Sequence, residues 1–128
     1  MRDGREEQRG EQPRVLVVED DASISMLTRS VLEDEGYVVV AAASGGEALK
    51  MLDTAAVGLI LLDMRLPDMD GEAFLADCRQ RWDQHPPVVA FTAVRPRQHP
   101  LPLGIVDWLE KPFNIDDLIR LVAAHYVG

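Results

Sequence analysis

The chain has 128 residues, 47% hydrophobic and 27% charged, enough for one compact domain and too few for two ordinary ones. Its 22 acidic and 13 basic side chains leave a formal charge of -9. That balance argues against direct binding to nucleic acid, whose phosphates attract Lys and Arg, and against docking on an anionic membrane surface. The single cysteine, Cys78, cannot form an internal disulfide, and no Cys/His cluster has zinc spacing. No run of ~18 apolar residues could span a bilayer. Residues 1–13 are polar and charged with no apolar stretch, so they read as a disordered tail rather than a secretory signal. A cytoplasmic protein is expected, with its ordered domain at 14–128.

Arg14 precedes Val15, Leu16, Val17 and Val18, a run apolar on both faces that suits a strand buried inside a parallel sheet. Asp21 or a neighbour caps a helix from Ala22, with Ile24, Leu27, Val31 and Leu32 apolar and Gly36 as its stop. Tyr37 to Ala42 is a second strand. Ser44 and Glu47 form a capping box that opens a helix with Ala48, Leu49 and Leu52 turned inward. Gly58 to Leu62 is a third strand. Asp70 caps a helix through Phe74, Leu75, Cys78 and Trp82, which makes Cys78 a core thiol. Pro87 to Phe91 is a fourth strand.

The alternation then falters. Pro96, Pro100 and Pro102 fall between Thr92 and Gly104. Each interior proline costs a helix ~3 kcal/mol and pushes the preceding residue out of helical dihedrals. A loop or one short turn is expected there, so a fourth helix is missing, short or disordered. Ile105 to Leu109 is a fifth strand. Asn114 caps the last helix, with Asp116 and Asp117 in its first turn and Phe113 and Leu118 as a hydrophobic staple. This order predicts an α/β, flavodoxin-like three-layer sandwich with a five-stranded parallel sheet in the order 2-1-3-4-5.

In such sheets ligands lie beyond the carboxyl ends of the strands, beside the point where strand order reverses. Strand one delivers Glu19, Asp20 and Asp21 to that edge. Strand three delivers Asp63, strand four Thr92, and strand five Lys111 followed by Pro112. Carboxylates brought close repel by ~4 kcal/mol at 4 Å in an effective dielectric of 20, so such a site usually holds a cation. All-oxygen ligands suit Mg²⁺ with a phosphate oxygen. No Gly-rich nucleotide loop is present. An aspartate accepts phosphoryl as an aspartyl phosphate, and Lys111 and Thr92 are placed to neutralise and hydrogen-bond the new oxygens. Taken singly, each residue has a plainer role: a helix cap for Asp20 or Asp21, a turn for Asp63, a strand-end hydroxyl for Thr92, a solvated cation for Lys111. Their convergence from four strand ends decides the reading.

From Arg14 to about Val127 the chain resembles a response-regulator receiver domain, the CheY-like module of two-component phosphorelay signal transduction. The resemblance is carried by Val-Leu-Val-Val-Glu-Asp-Asp at 15–21, Asp-Met-Arg-Leu-Pro-Asp-Met-Asp-Gly at 63–71, Phe-Thr-Ala at 91–93 and Lys-Pro-Phe at 111–113. It implies that Asp63 is the phosphorylated residue. It also implies that Glu19, Asp20, Asp63 and the backbone carbonyl of Arg65 bind Mg²⁺, with Mn²⁺ as a substitute. Thr92 is implied to contact the phosphoryl group and transmit the switch, and Lys111 to pair with a phosphoryl oxygen across a cis Lys111–Pro112 bond. Asp21 falls one place past the family's acidic pair and remains a cap. Trp108, three before the lysine, takes the place of the family's aromatic switch residue, where Tyr or Phe is more usual. Arg65 and Val94 stand where relatives tune dephosphorylation.

The expected donor is a sensor histidine kinase or a histidine phosphotransfer protein, and the expected output is control of an unknown downstream protein through the 92–108 region. With the helix before strand five cut short, a monomer or weak dimer is expected. No output domain follows Gly128, so a single-domain regulator or a piece of a longer protein is expected. The chain is not read as a turnover enzyme. A phosphohydrolase of the haloacid-dehalogenase type requires a second carboxylate two residues after its nucleophile, and position 65 is Arg. The alternative is a pseudo-receiver, a phosphorylation-independent interaction module.

Overall fold

Five parallel strands, β1 (Arg14–Val18), β2 (Val39–Ala42), β3 (Val57–Asp63), β4 (Val88–Thr92) and β5 (Ile105–Glu110), form one sheet in the order β2–β1–β3–β4–β5. The computed structural model describes residues 12–93 and 104–128. Among them the helices are α1 (Ala22–Asp34), α2 (Gly45–Thr54), α3 (Gly71–Arg81) and α4 (Ile115–His125). The flavodoxin-like order expected from the sequence is present. The expectation of a missing or short helix before β5 falls on residues 94–103, outside the described residues.

Successive strand residues point to opposite faces. Leu16, Val18, Ile60, Leu62 and Ala90 meet Leu49 of α2 and Phe74 and Cys78 of α3. Val15, Val17, Leu59, Leu61 and Phe91 meet Leu32 of α1 and Leu118 and Val122 of α4. Both faces are covered, which is why the central strands are apolar at every position. Cys78 is fully buried, as a core thiol should be, and burial pushes its pKa up to about 11.

One irregularity redirects a large side chain of β5. Val88 lies opposite Ile105, but Val89 lies opposite Asp107, so Val106 is an extra residue in β5. Ile105 therefore packs on the α2–α3 side and Leu109 on the α1–α4 side, although strict alternation would put residues four apart on one face. The same shift turns Trp108, opposite Ala90, toward the α2–α3 core, where it is half-buried.

Element ends differ from the sequence reading for local reasons. β2 starts at Val39 rather than Tyr37 because α1 ends in a Schellman closure. There Gly36, at φ 96°, donates to the Glu33 carbonyl, and Tyr37 donates to that of Leu32. Pro87 has no N–H for the ladder, so β4 begins at Val88, while the Pro87 carbonyl accepts from Ile60 N–H at 2.9 Å. Asp63 and Thr92 are the last residues of β3 and β4 instead of the first of their loops. The ladder thus holds the backbone of both.

The four expected caps are in place. Asp21 accepts from Ile24 N–H, Ser44 from Glu47 N–H, Asp70 from Ala73 N–H, and Asn114 from Asp116 and Asp117 N–H. Glu47 reaches back to the Ala43 amide at 3.4 Å rather than to that of Ser44. Phe113 stacks on Phe91 with ring centroids 5.2 Å apart, and both it and Leu118 pack in the α1–α4 core. Residues 1–11 of the expected tail lie outside the described residues. Gln12 and Pro13 touch the domain: Tyr126 Oη donates to the Pro13 carbonyl, and Gln12 Nε2 to that of Gly36.

Candidate functional site

A crevice at the carboxyl edge of the sheet gathers Glu19, Asp20, Asp63, Arg65, Thr92 and Lys111. The strand order brings β1, β3, β4 and β5 side by side, so each of these residues arrives from a strand end or the turn after it. Asp20 is exposed, whereas Glu19 and Asp63 keep only 2% and 8% of their surface. Asp21 faces the same crevice, but its side chain caps α1. That settles which member of the acidic run is the cap and leaves Asp20 available to a ligand.

Lys111 is the charged centre. Its Nζ lies 2.5 Å from Glu19 Oε1 and 3.4 Å from Asp63 Oδ2. The second Glu19 oxygen accepts from Asp21 N–H at 3.1 Å, and Asp63 Oδ1 accepts from Arg65 N–H at 2.9 Å. The Lys111–Pro112 peptide is cis, and Lys111 N–H donates to the Thr92 carbonyl at 2.7 Å. Burial alone lowers the Lys111 pKa, but Glu19 and Asp63 together overcome it and hold the ammonium above its ordinary value.

Glu19 behaves in the opposite way. Burial drives its pKa up to about 7 against the pull of Lys111, and Asp63 adds to the rise. Its folded value exceeds its ordinary 4.5, so the folded state binds the proton more tightly. Stability from this group is fully present below the ordinary value and is lost as pH rises toward about 7. We expect the metal-free protein to lose stability across that window, by roughly 3–4 kcal/mol at most, read as a falling melting temperature. Glu19→Gln should flatten the fall. An unchanged slope in the variant would rule out Glu19 as its source.

The donor set fits a hard divalent cation. Glu19, Asp20 and Asp63 each offer a carboxylate oxygen, all within 4.8 Å of one another. The Lys111 ammonium pairs with Glu19 and Asp63, and a divalent cation at this cluster would offset the charge that Lys111 leaves uncompensated. Oxygen-only ligands of this number match Mg²⁺ completed by water and phosphate.

The remaining expected residues separate. Thr92 is half-buried and lines the crevice with Lys111. Trp108 is not among its lining residues and sits against the α2–α3 core. Val94 lies outside the described residues. Sequence reasoning passed over Asp68, whose carboxylate accepts from Gly45 and Gly46 N–H, both at 2.9 Å, at the start of α2. The only sequence hint was the Gly45–Gly46 pair, a poor choice for a helix's first turn unless something must approach it closely.

The family model described as response regulator receiver domain matches residues 15–123. The chain is 38% identical over 112 residues to an uncharacterized 14.6 kDa protein of Leptolyngbya boryana, covering 84% of this chain and 86% of that one. It is 36% identical over 114 residues to the transcriptional regulatory protein CpxR of Escherichia coli, covering 87% of this chain but 48% of CpxR. The chain thus spans about half of that regulator. Among solved structures, the response regulator TrrA of Thermotoga maritima in complex with Mg²⁺-BeF superposes with a TM-score of 0.78 at 28% identity. That alignment covers 88% of this chain and 98% of TrrA.

Proposed function

The chain belongs to the response regulator receiver domain family, and from that membership we propose that it is a phospho-acceptor whose acceptor is Asp63. The observation that carries the reading is the setting of Asp63. One carboxylate oxygen is fixed by the Arg65 amide at 2.9 Å, the other faces the Lys111 ammonium at 3.4 Å, and Glu19 and Asp20 stand beside it.

The donor is phosphohistidine on a sensor histidine kinase or a histidine phosphotransfer protein. An Asp63 oxygen bonds to phosphorus as the phosphorus–nitrogen bond breaks, and the bonding pair leaves on the imidazole nitrogen. Glu19, Asp20, Asp63 and the Arg65 carbonyl would hold Mg²⁺, or Mn²⁺ in its place, which supplies charge neutralisation at the phosphoryl oxygens. Lys111 hydrogen-bonds a phosphoryl oxygen, and its bond to Glu19 aims it there beforehand. The phosphoryl group carries roughly -1.5 to -2 charges where the Asp63 carboxylate carried one. The Thr92 hydroxyl turns toward that charge, and the 92–108 region with Trp108 passes the change to a downstream protein. Release of phosphate to water resets the site. The chain works in the cytoplasm as a monomer or weak dimer, without contacting nucleic acid or membrane itself.

The test is incubation with a small acyl-phosphate donor, with and without Mg²⁺, followed by intact mass and peptide mapping. One phosphoryl group on Asp63 in Mg²⁺, and none after chelation, is the expected result. Uptake at another residue, or equal uptake without divalent metal, would overturn the reading.

A further inference from the structure

We propose that Asp68 is a positioning residue for phosphoryl transfer, anchoring the tip of the β3–α3 loop on α2 so that Arg65 stays against Asp63. The proposal rests on the reading of Asp63 as the acceptor.

The loop from Met64 to Asp70 has a hairpin-like base. Gly71 N–H donates to the Met64 carbonyl at 2.9 Å, Leu66 N–H donates to that of Met69 at 3.2 Å, and Arg65 bridges to Asp70. Those bonds hold the loop to itself, while its base is tied to the sheet by Met64 N–H donating to the Phe91 carbonyl at 3.3 Å and by Met64, Leu66 and Met69 packing on the α2–α3 core. The tip is fixed from outside. Asp68 Oδ1 accepts from Gly45 N–H and Oδ2 from Gly46 N–H, each at 2.9 Å. Ser44 caps Glu47 N–H of the same helix. Three early amides of α2 are therefore satisfied by two side chains, one of them from a loop more than twenty residues away.

The glycines follow from this docking. A Cβ on Gly45 would stand 2.5 Å from Met69 Sδ, and one on Gly46 would stand 3.3 Å from Asp68 Oδ2. At Gly45 a side chain would require Met69 to shift, and at Gly46 it would require Asp68 to give by a few tenths of an ångström, so a bare backbone suits the close approach of the loop tip to α2. The amides of Gly46 and Gly45 hold the Asp68 carboxyl below the usual carboxylate range, so it stays charged at neutral pH and keeps both bonds. Arg65, three residues before Asp68, carries the amide that fixes Asp63 Oδ1. A loop freed at its tip shifts that amide, and small misplacement of a reacting group is costly in rate.

The experiment compares Asp68→Ala, Asp68→Asn and Ser44→Ala with the parent. Amide hydrogen exchange of Arg65 is followed in metal-free protein, and phosphoryl uptake from an acyl-phosphate donor is followed in Mg²⁺. Asp68→Ala should speed Arg65 exchange and slow uptake, each roughly tenfold. Asp68→Asn keeps one acceptor oxygen and should fall between Asp68→Ala and the parent. Ser44→Ala removes the other cap of α2 without touching the loop, so it should lower the melting temperature while uptake stays at the parent rate. Parent-like Arg65 exchange in Asp68→Ala overturns the anchor. So does equal slowing of uptake by Ser44→Ala, which would trace the effect to helix stability. If Asp68→Ala does not fold, Asp68→Asn decides by the same two readouts. If the parent takes no phosphoryl group, the acceptor reading fails, and Arg65 exchange still decides whether Asp68 holds the loop.

Discussion

Asp63→Asn should abolish phosphoryl uptake, by at least ~10³-fold, because the substitution removes the nucleophilic oxygen pair and leaves an amide that cannot carry the group. The fold should survive. The carboxamide that replaces the carboxylate keeps an oxygen for the Arg65 N–H, the bond that Asp63 Oδ1 now accepts at 2.9 Å. A second effect separates a true site residue from a bystander. Asp63 raises the Glu19 pKa both by hydrogen bonding and by its charge. With those two contributions gone, burial works against Lys111 and the Asp21 amide alone, and Glu19 gives up its proton at lower pH. The pH window over which the metal-free protein loses stability should move down accordingly, as read from melting temperatures across pH. Retained uptake in Asp63→Asn would place the acceptor elsewhere. An unmoved pH window would show that Asp63 and Glu19 do not interact as their geometry requires.

Lys111→Ala should have the second largest effect, and its size should depend on pH. The Lys111 ammonium, with a side chain 17% exposed, stands between Glu19 and Asp63. Deleting one partner of a buried ion pair commonly costs ~3–5 kcal/mol, since the other charge is stranded. Glu19 has an escape, because its pKa already sits at about 7 and rises further without Lys111. At acid pH it takes a proton and the loss is small. At alkaline pH two carboxylates face each other and the loss approaches the full figure. Urea denaturation at two pH values measures the difference, and equal losses at both would contradict this account. Phosphoryl uptake in Mg²⁺ should fall by roughly 10²–10³-fold, the scale of removing one preorganised donor from a site of developing negative charge. Lys111→Arg should not restore it, because a planar guanidinium cannot take the place of a compact ammonium in so enclosed a position.

The acidic excess and the site are connected. The charge of -9 first argues only against anionic partners. Three of those charges, on Glu19, Asp20 and Asp63, converge on one edge of the sheet with one ammonium among them. The same repulsion that makes the site a liability for stability suits it to the divalent cation proposed for it.

Much of this architecture was legible in the chain. Val15–Val18 and the run at 58–62 are apolar at every position, which only a strand covered on both faces requires, so the parallel sheet followed from local pattern. The caps followed from residue type and spacing, because a cap is satisfied by an amide two or three residues away. The convergence of Glu19, Asp20, Asp63, Thr92 and Lys111 followed from one topological rule applied to strand ends.

What local pattern could not decide was pairing and aim. Whether Asp20 or Asp21 caps α1 depends on backbone dihedrals at the turn, and two adjacent aspartates look alike in sequence. Trp108 faces the α2–α3 core because Val106 is an extra residue in β5, and such an insertion shows only in the pairing with β4. Lys111 binds Glu19, 92 residues away, and Asp68 reaches α2 across 22 and 23 residues. Periodicity and short-range hydrogen bonding act over a few residues, so the chain alone specified the strands, the helices and the caps other than that of α1, and one topological rule added the sheet order and the residues at its carboxyl edge. Contacts made in three dimensions set which carboxylates Lys111 pairs with, which aspartate meets the start of α2 and which face receives the tryptophan. Those outcomes depend on register and on the distance between elements remote in the chain, and no local pattern carries either.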